Sequence, residues 1–223
     1  MTTREKLTAA AFELFEQQGY EQTTIDDIAT RAGVGRTTFF RTFRTKDEVV
    51  FPDHESILVA ARAQLREART TSPARAARDT TVFVLRQHLA HPDLARSRYR
   101  LTAIVPALRD REISSVSGYQ RMFYDHFRDT QPGDALQAEL LAAACVTVHN
   151  HVLRQWLREP FADPEAQLTR DLDAALARLS MDDPQQALAT EIAVLRSTRP
   201  LEDVLPVLQA ALEAAAADSP APR

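Results

Sequence analysis

Arg36, Thr37, Thr38, Arg41 and Thr42 crowd into seven residues and carry most of the hydrogen-bonding capacity of their neighbourhood. An arginine fork can bond guanine O6 and N7 together. A threonine can bond a base edge or pack its methyl on that of thymine. Presented outward from one short helix, such a set suits base edges in the DNA major groove. Every formal charge from Ile28 to Lys46 is positive: Arg31, Arg36, Arg41, Arg44 and Lys46. Cations at that density suit phosphates, and Thr24 and Lys46, at expected helix N-termini, can add backbone N–H groups to the contact.

These side chains need a frame, and the surrounding sequence supplies one. Leu7, Ala11, Leu14 and Phe15 recur at helical spacing over residues 4–18, with Phe12 beside them, and Gly19 stands where a helix end favours an αL residue. Thr24 with Asp27 forms a capping box for a second helix, whose inward face is Ile25, Ile28, Ala29 and Ala32. Gly33-Val34-Gly35 is the turn, with Val34 as its buried peg. Residues 36–42 form the third helix, with Phe39 and Phe43 pointing in. Two short helices hinged this way form a helix-turn-helix over residues 24–43, in which the second helix enters the groove and the first braces it.

Downstream, Thr45 and Glu48 predict another capping box and a helix to about residue 69, with Pro52 forcing a kink or restart near Asp53. Thr70-Thr71-Ser72-Pro73 breaks the chain before a helix over 74–90. His91-Pro92-Asp93 opens a further helix that Pro106 ends or bends. Residues 112–129 and 134–158 are long helices separated by Gln131-Pro132-Gly133. Leu168, Leu172, Leu176 and Leu179 align on a helix over 165–179, and two more are expected near 185–197 and 204–217.

Composition agrees with an all-α chain: Gly is scarce, with five in 223 residues, while 44% hydrophobic and 26% charged residues suit a globular protein able to bury a core. The net charge of −4 hides the local cationic run, and the run is the more informative of the two. The single Cys145 allows no intrachain disulfide. The chain opens directly on an amphipathic helix without an apolar signal segment, and its most apolar stretch, 140–148, is too short for a bilayer. A cytoplasmic protein without membrane association is expected.

Residues 4–50 resemble the DNA-binding domain of the TetR/AcrR family of bacterial transcriptional regulators. The resemblance rests on Ala11, Leu14 and Phe15, then Gly19-Tyr20, Thr23-Thr24, Ile28-Ala29, Ala32-Gly33-Val34, Phe40, Phe43, Lys46 and Asp47. It implies an N-terminal three-helix helix-turn-helix domain over 1–50 and a helical ligand-binding and dimerisation domain over 51–223, with extra helices after about 184. It further implies a homodimer joined through helices 134–158 and 165–179, bound to a palindromic operator in double-stranded DNA and released by a small-molecule effector. A repressor is the expected sense. Family members often carry Tyr where Phe40 and Thr42 stand here; Phe40 lacks the hydroxyl and Thr42 is shorter, so Arg41 and Arg44 are expected to supply backbone contacts.

Tyr119, Phe123, His149 and Trp156 lie on helices that line the effector pocket in relatives and are the candidate ligand contacts, although each also suits core packing. Cys145 and His149 share a helical face at metal-ligand spacing, but no third ligand is evident, and neither metal nor cofactor is expected. No nucleophilic triad, phosphate loop or paired-carboxylate signature argues for an enzyme. A helical small-molecule-binding protein or enzyme with a vestigial DNA-binding domain, and a ligand-independent adaptor of the same fold, remain the alternative readings.

Overall fold

A computed structural model describes residues 1–51, 53–68, 72–130 and 134–180, and capping and proline placement divide these described residues into ten helices. They are α1 (Thr3–Gln18), α2 (Ile25–Arg31), α3 (Arg36–Thr42), α4 (Lys46–Val50), α5 (His54–Glu67), α6 (Pro73–Leu89), α7 (Pro92–Ile104), α8 (Pro106–Thr130), α9 (Ala135–Arg158) and α10 (Pro164–Ser180). No strand occurs among the described residues. The helices expected near 185–197 and 204–217 lie outside the described residues, as do Pro52 and the breaks at 70–71 and 131–133.

Local chemistry explains the starts. Thr2 and Glu5 satisfy each other's backbone at the head of α1, and Thr24 and Asp27 do the same for α2. The box expected at Thr45 is half formed. Its hydroxyl accepts the Glu48 N–H at 3.3 Å, but the Glu48 carboxylate reaches back one residue further, to the Arg44 N–H at 2.7 Å. Pro73, Pro92, Pro106 and Pro164 all stand at the first position of a helix, where the missing N–H costs no bond. Pro106 is thus a start rather than a bend, and α8 runs unbroken from it, six residues ahead of the expected 112. The helix expected from Thr45 to residue 69 restarts near Asp53, as its sequence predicts: α4 ends at Val50 and α5 begins at His54 with Asp53 as its N-cap. Gly19 and Gly33 adopt φ of +84° and +68°, which other residues enter only with strain.

Three apolar clusters hold the helices. The first joins Leu7, Phe15, Ile28, Phe39, Phe43, Val49 and Val50 of the first four helices to Leu101, Val105 and Leu108 from the α7–α8 corner. Val34 packs on it half-buried, so the peg of the turn is only partly enclosed. The second gathers α5, α6, α8, α9 and α10 around Phe123, Phe127, Leu141 and Leu172. A third, around Leu85, Val152 and Leu168, ties α6, α9 and α10 together. No helix among the described residues is long and apolar enough to cross a membrane.

Candidate nucleic-acid interface and buried cavity

Phe39 is fully buried and Phe43 nearly so, which fixes the roll of α3 and leaves Arg36, Thr37, Phe40 and Arg41 exposed, with Thr38 and Thr42 half-buried. The Phe40 ring meets Phe39 edge-on at 5.6 Å and lies 5.2 Å beneath the Arg36 guanidinium. The Thr42 hydroxyl donates to the Thr38 carbonyl at 2.9 Å. That leaves its lone pairs for an incoming donor.

The cations differ in what already holds them. Arg36 pairs with Asp26 at 2.6 Å and Arg31 with Glu13 at 3.1 Å, so two charges of the positive run are balanced by acids that precede it in sequence. Among the described residues, the side chains of Arg41 and Arg44 have no ion-pair partner, and both are exposed. Lys46 is the opposite case. Its ammonium donates to the carbonyls of Tyr20 at 2.7 Å and Thr23 at 3.0 Å, and sits 4.1 Å from the Tyr20 ring. This ties α4 to the α1–α2 connection and leaves one N–H for any phosphate. Thr24 is exposed, with its hydroxyl engaged by Asp27 in both directions, accepting at 3.1 Å and donating at 2.7 Å. Asp47 accepts a short hydrogen bond from the Tyr20 hydroxyl, whose pKa is driven up first by burial and then by that carboxylate. Sequence reasoning passed over Arg4. Its guanidinium stacks at 4.7 Å on Phe43 and reaches the Thr42 carbonyl at 3.4 Å, anchoring the end of α3.

A cavity of about 120 Å³ lies among α5, α6, α7, α8 and α9. Tyr119, Phe123 and His149 line it, while Trp156 does not; that indole is buried beneath the Arg96 guanidinium, 5.1 Å away. A neighbouring cavity of about 270 Å³ shares part of the same wall, including His88, Arg98, Glu112 and Asn150.

The polar groups here sit in an unusual medium. Burial lowers the pKa of His54, His88 and His149, which therefore stay neutral at pH 7. Burial also pushes the Tyr119 phenol and the Cys145 thiol up to about 12. His149 Nδ1 lies 3.2 Å from Asn150 Oδ1, and its Nε2 is buried with no partner. Arg98, from α7, donates its Nε–H to the Val50 carbonyl at 2.7 Å and lies 5.6 Å from the Phe51 ring. No sequence signal marked Arg98, one of several arginines on its helix. Among the described residues, no group of three or more His, Cys, Asp or Glu is placed to hold a metal ion.

Comparison with known proteins matches two segments of the chain. Residues 7–51 match the family model for bacterial regulatory proteins of the tetR family, and residues 71–184 match that of the MftR C-terminal domain. The transcriptional regulator TcmR of Streptomyces glaucescens is 51% identical over 47 residues, 21% of each chain. A protein of Mycobacterium tuberculosis named as a mycofactocin biosynthesis transcriptional regulator, MftR, is 26% identical over 185 residues, covering 78% of this chain and 87% of its own. NalD of Pseudomonas aeruginosa, the secondary repressor of the MexAB-OprM multidrug efflux pump, superposes with a TM-score of 0.59 at 19% identity, over 78% of this chain and 96% of its own. FadR of Bacillus subtilis, solved with stearoyl-CoA, gives 0.57 at 15% identity over 78% and 97%.

Proposed function

The chain belongs to the TetR family of transcriptional regulators, and from that premise we propose that it is a homodimeric, effector-released repressor of a palindromic operator. The observation that carries the reading is the exposed face of α3, rolled outward by buried Phe39 and Phe43 and carrying, with the residues just after it, the cations Arg41 and Arg44, which have no ion-pair partner among the described residues. Arg36 and Arg41, with Thr37, Thr38 and Thr42, read base edges. Arg44, Thr24 and the remaining N–H of Lys46 meet phosphates, and Phe40 packs beside Arg36 against the backbone. Specific affinity in such systems is of order 10⁻⁸–10⁻¹¹ M.

Dimerisation through α9 and α10 is supported by Leu136 and Leu140, which expose 64% and 43% of their surface on α9. The effector occupies the cavity lined by Tyr119, Phe123 and His149, whose apolar walls suit an apolar body and whose unpartnered His149 Nε2 suits a polar group on it. In FadR of Bacillus subtilis the same fold holds an acyl-CoA.

A gel-shift titration of the full chain against DNA flanking its own gene tests the reading. Retarded DNA competed only by the same sequence, with two protomers per site, is the expected result. Equal affinity for unrelated DNA at physiological salt refutes it.

A further inference from the structure

Arg98 is a half-buried cation enclosed by protein that offers its charge few polar partners. One of its five N–H donors reaches Val50, and among the described residues no carboxylate lies within 4.0 Å of it. Removing a guanidinium from water is costly unless it is paired and hydrogen-bonded. The fork borders both cavities, so the space beside it can hold the missing partner. His149, whose Nε2 is buried without a partner, lines the first of them and adds a second unsatisfied polar group to the same chamber.

We propose that the effector is an organic monoanion of the carboxylate class on an apolar body, and that its anionic group takes the Arg98 guanidinium and draws it from the Val50 carbonyl. The proposal rests on the regulator reading above and specifies the ligand and the switch of that site.

The electrostatics of the chamber favour an anion. Arg98 contributes to lowering the pKa of His54 and His88, after burial, and pulls against burial at the Tyr119 phenol, so its field is positive at three places in the wall. The opposing acids are Asp53, exposed before α5, and Glu112, whose carboxyl burial pushes toward its protonated form while Arg98 pulls the other way. Among the described residues Arg98 is the only Lys or Arg lining the first cavity, and one fork matches one carboxylate in bidentate geometry.

The same contact reaches the reading head. Val50 closes α4, and its carbonyl is one of those a helix end leaves without an internal partner. Arg98 satisfies it. At the other end of α4, Lys46 holds the carbonyls of Tyr20 and Thr23. Moving the guanidinium toward a ligand therefore releases one end of the short helix that packs on α1 and is tied to the α1–α2 connection.

The test uses the full chain and matched sets of straight-chain carboxylates, alcohols and amines of four to twelve carbons, titrated calorimetrically. At the best-fitting length, the carboxylate is expected to bind about tenfold or more tighter than the alcohol or amine. R98Q is expected to erase that preference. The bound carboxylate is expected to speed amide exchange at Val49 and Val50 and to release the operator from the wild type but not from R98Q. R98K, which keeps a charge without the fork, is expected to retain the preference at reduced affinity and supplies a second variant should R98Q not fold.

Equal affinity across the three headgroups, failure of every carboxylate to bind, or a preference that survives R98Q overturns the assignment. Exchange at α4 that ignores the bound carboxylate overturns the switch. Loss of operator binding by the ligand-free wild type would instead refute the regulator reading, and a charge-indifferent protein that still binds its operator refutes only the role of Arg98.

Discussion

Asp26 holds Arg36 before any DNA arrives, and replacing it exposes what that arginine does. The pair is short, 2.6 Å, but Asp26 and Arg36 expose 63% and 59% of their side chains, so water screens it and its worth is about 0.2–1 kcal/mol. A bidentate contact to guanine discriminates by about 1–3 kcal/mol, which exceeds the cost of leaving Asp26. Asp26→Asn removes that cost without changing the shape of the side chain. Operator affinity is therefore expected to rise by about 1.4- to 5-fold, the same energy expressed as a ratio. The assay is fluorescence anisotropy on a labelled operator at fixed salt, run as a cycle with Arg36→Ala. In the Arg36→Ala background the gain should disappear, since no guanidinium remains to be freed. Asp26 also lies in the first turn of α2, so a melting curve is needed to separate a small helix-dipole loss from the binding effect. A gain that persists in full without Arg36 would show that Asp26 acts only by repelling phosphates and would refute Arg36 as a base reader.

Lys46→Met should lower stability by about 2 kcal/mol, because two carbonyls lose a charged donor, and should lower Tm before it changes the salt dependence of DNA binding; an unchanged Tm would contradict the anchoring role. Stability should fall as pH drops below about 6.5, where unfolded histidines take protons that buried His54, His88 and His149 resist, by up to about 1.4 kcal/mol per group and pH unit. Arg98 and Arg154 reinforce that resistance, whereas Glu112, with its raised carboxyl pKa, works in the opposite sense nearer its own range; His88→Gln should flatten the profile in a pH series of melting curves. Leu140→Glu should shift the protein toward monomer in light scattering and weaken operator binding, and an undisturbed dimer would place the interface elsewhere.

The readable parts of this chain were those in which cause and effect lie within a few residues. The Thr24–Asp27 box spans three positions, and Phe39 and Phe43 share a face because they are one turn apart. Both read directly as local structure. Pro106 was ambiguous for a physical reason: the same missing N–H that bends a helix interior is harmless at its first position, and only the end of α7 at Ile104 selects between them. The positive run is plain in the sequence, yet Asp26 and Glu13 return to Arg36 and Arg31 through the fold, leaving Arg41 and Arg44 without an ion-pair partner among the described residues. Three of the four candidate pocket residues line the cavity because α8 and α9 face each other along much of their length. Trp156, near the end of α9, meets Arg96 of α7 instead. Arg98 had no sequence signature at all, since its role comes from burial against α4, almost fifty residues away.

That burial also bears on how an effector could act. Leu101, Val105 and Leu108 belong to the same apolar cluster as the cores of α1, α3 and α4, so the reading head does not close its core alone. Around this joint, Arg100 pairs with Glu16 at 3.0 Å and Arg111 with Glu48 at 4.0 Å. Burying side chains of this size stabilises by about 1.5–3 kcal/mol each, so together the three outweigh the 1–3 kcal/mol typical of allosteric coupling. A ligand of ordinary differential affinity therefore cannot detach the head; it can only tilt it on an intact apolar joint. The polar contacts at the rim are weak enough to exchange at that energy, and the Arg98–Val50 hydrogen bond is the one that also borders the cavities. In the proposed switch the joint is the pivot, and that bond is the contact through which a ligand moves α4.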